Sequence, residues 1–206
     1  MINYKGYGIL LENMTDGLVE ELTVSPLKIA GYGPEKVETY NVYRQNSTRF
    51  YMPKFYGISK FGPPSKSKER LGDPIALKFN GELFAHQVKF CNSILDEIGK
   101  NDACIASSGT GSGKTSMSLW ILSQLKVKTL IIVHKEFLMD QWMQRIQQFL
   151  PDAKVGIIRQ NTTTVEDKDI VIGMLQSISM KDYPIEIFDS FGLTIIDECH
   201  HVCTNS

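Results

Sequence analysis

Eight residues near the middle of the chain, Ser108-Gly109-Thr110-Gly111-Ser112-Gly113-Lys114-Thr115, combine three glycines, a lysine and a hydroxyl in the order that a polyphosphate requires. Glycines let backbone N–H groups turn inward around phosphate oxygens, Lys114 neutralises charge, and the Thr115 hydroxyl can ligate Mg²⁺. The usual first glycine is replaced by Ser108, which is small enough not to block such a loop. Downstream, Asp197-Glu198-Cys199-His200 ends the apolar run Leu193-Thr194-Ile195-Ile196. Neighbouring carboxylates at a strand end can divide the work. Asp197 is the candidate to hold Mg²⁺ through its water shell, and Glu198 the candidate to orient or deprotonate the water that attacks a γ-phosphate. Lys114 and Glu198 are thus the catalytic candidates, with Thr115 and Asp197 at the metal.

The bland alternatives are a glycine-rich surface turn and a solvated acidic turn. The flanking sequence argues against the first. Ala103-Cys104-Ile105-Ala106 is a short apolar run expected to be a strand, and Ser116–Lys126 has helical spacing with Met117, Trp120, Ile121, Leu122 and Leu125 apolar. Strand, loop and helix in that order set the phosphates at a helix N-terminus, where unpaired amides and the macrodipole favour anions. The loop in turn favours a functional reading of the acid pair. A third grouping, Cys199, His200, His201 and Cys203, crowds four zinc-type ligands into five positions, unlike the paired spacings of a tetrahedral site, so zinc is not expected.

Around these residues the sequence predicts an α/β architecture. From Leu83 to Ile98 the apolar positions Phe84, Val88, Cys91, Leu95 and Ile98 trace one helix face, with Gly99 as the expected stop. Thr129–Val133 is a continuous β-branched run, as in a parallel strand covered on both faces. A helix over Lys135–Leu150 follows, with Leu138, Trp142, Ile146 and Phe149 on its buried side, and Pro151 ends it. Short apolar runs at Val155–Ile158, Ile170–Ile172 and Leu193–Ile196 complete a strand–helix alternation that implies a parallel sheet. Asn161–Asp169 is polar and reads as a surface connection.

The first part of the chain reads as a small α+β accessory domain, with a helix around Gly17–Leu22 and strands near Thr39–Tyr43 and Arg49–Met52. Gly57, Gly62, Pro63, Pro64, Gly72 and Pro74 then suggest a linker, giving expected domains of 1–74 and 75–206. Net charge is −1 overall, yet Tyr40–Arg70 carries seven basic residues and one acid. Aromatics interleave there, as in Tyr43-Arg44, Arg49-Phe50-Tyr51 and Lys54-Phe55-Tyr56. This suits a DNA-engaging surface; a small β-core with a solvated basic edge is the favoured reading, since the aromatics must supply that core. The four cysteines do not suggest a disulfide framework. Met1–Met14 lacks a signal-type apolar core, and no apolar run is long enough to span a bilayer, so an intracellular, soluble protein is expected, with no membrane partner.

With these pieces in order, residues 83–203 resemble the superfamily 2 helicases and translocases in their D-E-C-H form. The loop resembles motif I and Asp197–His200 motif II. Leu83-Phe84-Ala85-His86-Gln87 looks like the segment whose glutamine recognises adenine, which makes Gln87 a nucleotide-binding candidate. Val133–Trp142 is similar to motif Ia of the branch acting on duplex DNA, including enzymes of phages and large DNA viruses. The resemblance implies that His134 and Lys135, with Gln176 and Ser177 of a later segment, lie near a nucleic-acid strand. It implies a RecA-like lobe, ATP and Mg²⁺ as cofactors, DNA as partner with RNA not excluded, and a host cytoplasmic, nuclear or virion location. It also implies a second lobe carrying arginine fingers, which is not in these 206 residues; weak hydrolysis by the chain alone is the expectation. A kinase-like phosphate-loop enzyme, or a non-catalytic ATP- or DNA-binding module, remains the alternative.

Overall fold

The computed structural model describes residues 1–3, 5–25, 39–69 and 71–201. Arg70 of the basic stretch and Cys203 of the cysteine–histidine cluster lie outside them. The chain divides into two compact units, Met1–Glu69 and Arg70–Ser206.

The first unit contains β1 (Ile2–Asn3), β2 (Gly6–Leu10), α1 (Asp16–Glu21), β3 (Thr23–Val24), β4 (Tyr40–Asn41), β5 (Arg44–Gln45), β6 (Arg49–Met52) and α2 (Lys54–Phe61). Antiparallel pairing gives the order β1-β2-β6-β5, with β3 and β4 as a separate pair. Ile2, Tyr7, Ile9, Leu18, Leu22, Phe50 and Met52 form its core. The stretch read as a linker from residue 57 is helical as far as Phe61, and Gly57 is buried. A side chain at Gly57 would collide with the Tyr7 ring, so this glycine serves close packing and does not loosen the chain.

The second unit contains α3 (Ala85–Asn101), α4 (Lys114–Leu125), β7 (Thr129–Val133), α5 (Glu136–Phe149), β8 (Val155–Arg159), β9 (Thr162–Thr163), β10 (Ile170–Met174), α6 (Leu175–Met180) and β11 (Leu193–Ile196). Its sheet runs β11-β7-β10-β8-β9. All neighbours are parallel except β8 and β9, the latter an exposed two-residue strand within the segment expected to be a surface connection. The inner strands β7 and β10 read as unbroken apolar runs because both faces are covered. Leu119 and Leu122 of α4 and Met139, Trp142 and Ile146 of α5 pack with Ile131, Val133, Ile170 and Ile172. Parallel register sets Met174 beside Val133 and Ile196 beside Ile132, so the segments after β7, β10 and β11 leave the same edge of the sheet. Ligands of open α/β sheets bind at that edge.

Three expectations about this unit need correction. Residues 103–107 are exposed and form no strand, with Ile105 at 87% exposure. An apolar run becomes a strand only when a neighbour takes its hydrogen bonds, and none does so among the described residues. For the same reason β11 is an edge strand whose Thr194 and Ile196 face solvent. Gly99 does not stop α3; the helix runs to Asn101 and ends where Asp102 adopts φ 59°. Phe84, expected to begin the apolar face of that helix, is instead its exposed N-cap residue, and Gln87 and Cys91 are the buried positions.

Residues 71–75 lie across this unit. Asp73 N–H donates to Ser190 O at 2.8 Å, Lys128 N–H to Asp73 O at 2.8 Å, and Ile75 N–H to Lys126 O at 2.9 Å. A side chain on Gly72 would strike the Gly192 backbone, and one on Gly192 the Leu71 carbonyl. Gly72 in this stretch therefore reflects close backbone approach.

Candidate nucleotide site and nucleic-acid face

The phosphate loop opens directly into α4, whose first residue is Lys114. Gly111 and Gly113 have φ of 77° and 87°, a left-handed backbone that glycine adopts without steric cost. Built side chains at Gly109 and Gly111 would meet nothing within 4 Å, so that side of the loop is open to a ligand. Lys114 Nζ donates to Ser108 O at 3.1 Å and Gly109 O at 3.2 Å, folding the charge back over the loop. Ser108 Oγ and Ser112 Oγ are hydrogen-bonded at 2.8 Å, so the serine in place of the usual glycine tightens the loop from within.

Gln87 braces this loop from α3. Its Oε1 accepts from Phe84 N–H at 2.9 Å, and its Nε2 donates to Ser112 O at 2.8 Å. Gly113 completes the fit, since a Cβ there would lie 2.6 Å from Gln87 Nε2. Both ends of the amide expected at adenine are thus engaged by the chain itself.

The acid pair follows β11. Asp197 N–H donates to Ile132 O at 3.0 Å, extending the strand pairing by one residue. Asp197 Oδ2 accepts from the indole N–H of Trp142 at 2.9 Å. Glu198 has φ 54°, uncommon for a residue with a side chain, and its Oε2 lies 3.3 Å from His200 Nδ1. No hydrogen bond or ion pair joins Lys114 or Thr115 to Asp197 or Glu198 among the described residues; the loop and the acids are held separately. The donor set of one hydroxyl and one carboxylate suits Mg²⁺, which takes few protein oxygens and completes its shell with phosphate and water. No group of three or more His, Cys, Asp or Glu is arranged to hold a metal among the described residues.

At the same sheet edge, Gln176 Nε2 donates to His134 O at 2.9 Å and Ser177 Oγ accepts from Gln160 N–H at 2.8 Å. Two of the segments expected on nucleic acid, after β7 and after β10, are therefore tied together. Lys135 extends over the Phe137 ring, its Nζ 5.9 Å from the centroid. Arg159 pairs with Glu136 and anchors the start of α5.

In the first unit the aromatics mostly serve the core. Phe50 and Tyr51 are buried and Tyr43 stacks on Phe50. Lys54 pairs with Glu69 and Lys60 with Glu21, both at 2.6 Å, which reduces the free positive charge of the stretch. A hollow of about 470 Å³ lined by Lys5, Tyr43, Arg44 and Tyr51 lies in this unit.

Trp142 was legible as a buried helix position but not as a partner of Asp197. A signal existed, because a buried indole N–H needs an acceptor; which acceptor it finds 55 residues away is a tertiary fact.

A parallel sheet, a glycine loop entering a helix and an acid pair at a strand end of the same sheet define the first RecA-like lobe of a superfamily 2 helicase. Residues 80–206 match the family described as type III restriction enzyme, res subunit. The chain belongs to this family and carries its helicase-type ATPase domain. A relative from Acanthamoeba polyphaga mimivirus, provisionally named an ATP-dependent RNA helicase, is 36% identical over 186 residues, covering 88% of this chain and 36% of its own length. That span exceeds the ATPase domain, so it takes in much of the first unit too. A provisionally named helicase of Invertebrate iridescent virus 6 is 31% identical over 62% of this chain and 30% of its own length. The chain thus spans about a third of the length of these relatives. Among solved structures, the Sulfolobus solfataricus SWI2/SNF2 ATPase core in complex with dsDNA matches with a TM-score of 0.52 at 18% identity, covering 65% of this chain and 29% of that one, a likeness of fold. No described helix is long and apolar enough to cross a membrane.

Proposed function

We propose that this chain is the ATP-binding first lobe, with an N-terminal accessory unit, of an ATP-dependent DNA helicase or translocase. The observation that carries the proposal is an open glycine loop at the start of α4, a helix packed on the sheet whose β11 leads into the carboxylates. Loop amides and Lys114 bind the triphosphate, Lys114 leaving the carbonyls of Ser108 and Gly109 to do so. Thr115 and Asp197 hold Mg²⁺, which when bound neutralises phosphate charge. Glu198 accepts the proton of the attacking water. Gln87 keeps the loop in shape, and any contact it makes to adenine requires exchanging one of its present bonds. His134, Lys135, Gln176 and Ser177 face one nucleic-acid strand across the strand-end edge.

Both arginines described in the ATPase unit are engaged locally: Arg145 with Gln148, and Arg159 with Glu136. An arginine finger contributes about 10³–10⁵ in rate in phosphoryl transfer. The chain alone therefore binds Mg-ATP but turns it over slowly.

RNA is the second reading, favoured by the names of relatives from mimivirus and African swine fever virus. Competition between duplex DNA and duplex RNA of one sequence, with Mg-ATP bound to the Glu198→Gln chain, tests this. Tighter DNA binding that weakens in Lys135→Ala is expected; preference for RNA transfers the assignment.

A further inference from the structure

Trp142 lies near the middle of α5, packed among Leu119, Ile131, Val133, Met139 and Ile146 and 3% exposed. Its indole carries one donor and no acceptor, and that donor is aimed at Asp197 Oδ2, 2.9 Å away. The carboxylate follows directly on an edge strand whose Thr194 and Ile196 are solvent-exposed, and no other side chain hydrogen-bonds to Asp197 among the described residues. The backbone amide of Asp197 fixes where the residue starts, through Ile132 O, but leaves the side-chain rotamer free. One well-packed donor therefore decides the direction of the carboxylate. With Oδ2 engaged by the indole, Oδ1 and the remaining lone pairs are left for a ligand.

We propose that Trp142 is a positioning residue for the metal-holding carboxylate, its indole N–H locking Asp197 in the orientation that receives the divalent cation of a bound nucleotide. This rests on the reading of Asp197 as a Mg²⁺ ligand under Proposed function. Groups that hydrogen-bond a metal ligand from behind commonly set 10–100-fold in metal affinity or activity, because they remove the need to order the ligand on binding. A hydrogen bond to a charged group also has a larger net effect than one between neutral groups. Trp142 has a wider consequence, since α5 begins directly after His134 and Lys135. The residue that aims the carboxylate is carried on the helix that follows the proposed nucleic-acid face.

Trp142→Phe keeps an aromatic ring in the pocket and removes the donor. The test compares nucleotide affinity in excess Mg²⁺ and in EDTA, by competition against a fluorescent ATP analogue, for the full chain and this variant. In the unaltered chain Mg²⁺ strengthens binding. In Trp142→Phe that strengthening shrinks about tenfold while the affinity in EDTA is unchanged. A loss of equal size with and without Mg²⁺ marks a packing role and overturns the proposal, as does an unaltered response to Mg²⁺. If the unaltered chain shows no strengthening by Mg²⁺, the metal reading of Asp197 fails instead.

A second measurement does not depend on how well that variant folds. Trp120 and Trp142 are the two tryptophans of the chain, so Trp120→Phe leaves Trp142 as the single indole. Adding Mg²⁺ to this chain with ATP already bound shifts the emission of Trp142. An emission that ignores Mg²⁺ while binding tightens contradicts the proposal.

Discussion

Gln87→Ala separates support of the phosphate loop from recognition of the base. The substitution deletes two hydrogen bonds, from Phe84 N–H at 2.9 Å and to Ser112 O at 2.8 Å, and leaves both backbone groups to find water. At about 0.5–1.5 kcal/mol each, the loss is about 1–3 kcal/mol. For a unit of this size that corresponds to a fall in melting temperature of roughly 3–9 °C. If about 1 kcal/mol of it is the cost of reshaping the loop, affinity for a nucleoside triphosphate falls about fivefold. The fall should be the same for ATP and GTP, because neither bond faces a base. Gln87→Glu is the partner experiment. It keeps the acceptor for Phe84 but sets a carboxylate oxygen against the Ser112 carbonyl at a buried position, so nucleotide affinity and melting temperature should both drop at least as far as in the alanine variant. Calorimetric unfolding and equilibrium titration with both nucleotides provide the readouts. A drop confined to ATP, with the melting temperature unmoved, would refute the brace and return Gln87 to the adenine.

Other substitutions probe the frame around the site. Gly192→Ala forces a methyl group onto the Leu71 carbonyl and to 2.9 Å from Val127 Cβ, so the segment over residues 71–75 must lift. About 1–3 kcal/mol of destabilisation is expected in thermal unfolding, whereas Gly17→Ala, with open space in α1, should be neutral or stabilising. In the first unit, hydrogen bonds from Lys60 and Tyr56 hold the Glu21 carboxyl below its ordinary value, and Glu21 holds the Lys60 amine above its own. The Glu21 contribution is complete above the ordinary carboxylate range and disappears as pH falls through the lowered value. That of Lys60 is complete below the ordinary lysine range and disappears as pH rises through the raised value. The contribution of this pair should therefore be flat through neutral pH and fall at both extremes, and Glu21→Gln should reduce the loss at each end in unfolding curves taken across pH.

Features written in neighbouring residues could be read before the fold was known. The loop, the helix after it, the β7 and β10 runs and the acid pair each announce themselves within a dozen positions, because glycine geometry, helical spacing and β-branching act locally. What stayed hidden depends on partners distant in sequence. Residues 103–106 have a strand's composition, yet no described neighbour pairs with them. Gly57 and Gly72 look like flexible-linker residues by composition; their contacts with Tyr7 and Gly192 show tight packing. The amide of Gln87 is spent on Phe84 and Ser112, and the direction of Asp197 is decided by a tryptophan on another element. Candidate site residues thus stand out by residue type, whereas the contacts that hold them do not.

The most direct test of the account is equilibrium binding of Mg-ATP to the full chain and to Lys114→Ala and Asp197→Asn. Saturable binding to the unaltered chain is predicted, with loss of at least about tenfold in Lys114→Ala. Asp197→Asn should retain affinity in EDTA and lose the strengthening by Mg²⁺. Absence of nucleotide binding, or equal binding by all three chains, would contradict the assignment of the glycine loop and the acid pair to one Mg-nucleotide site.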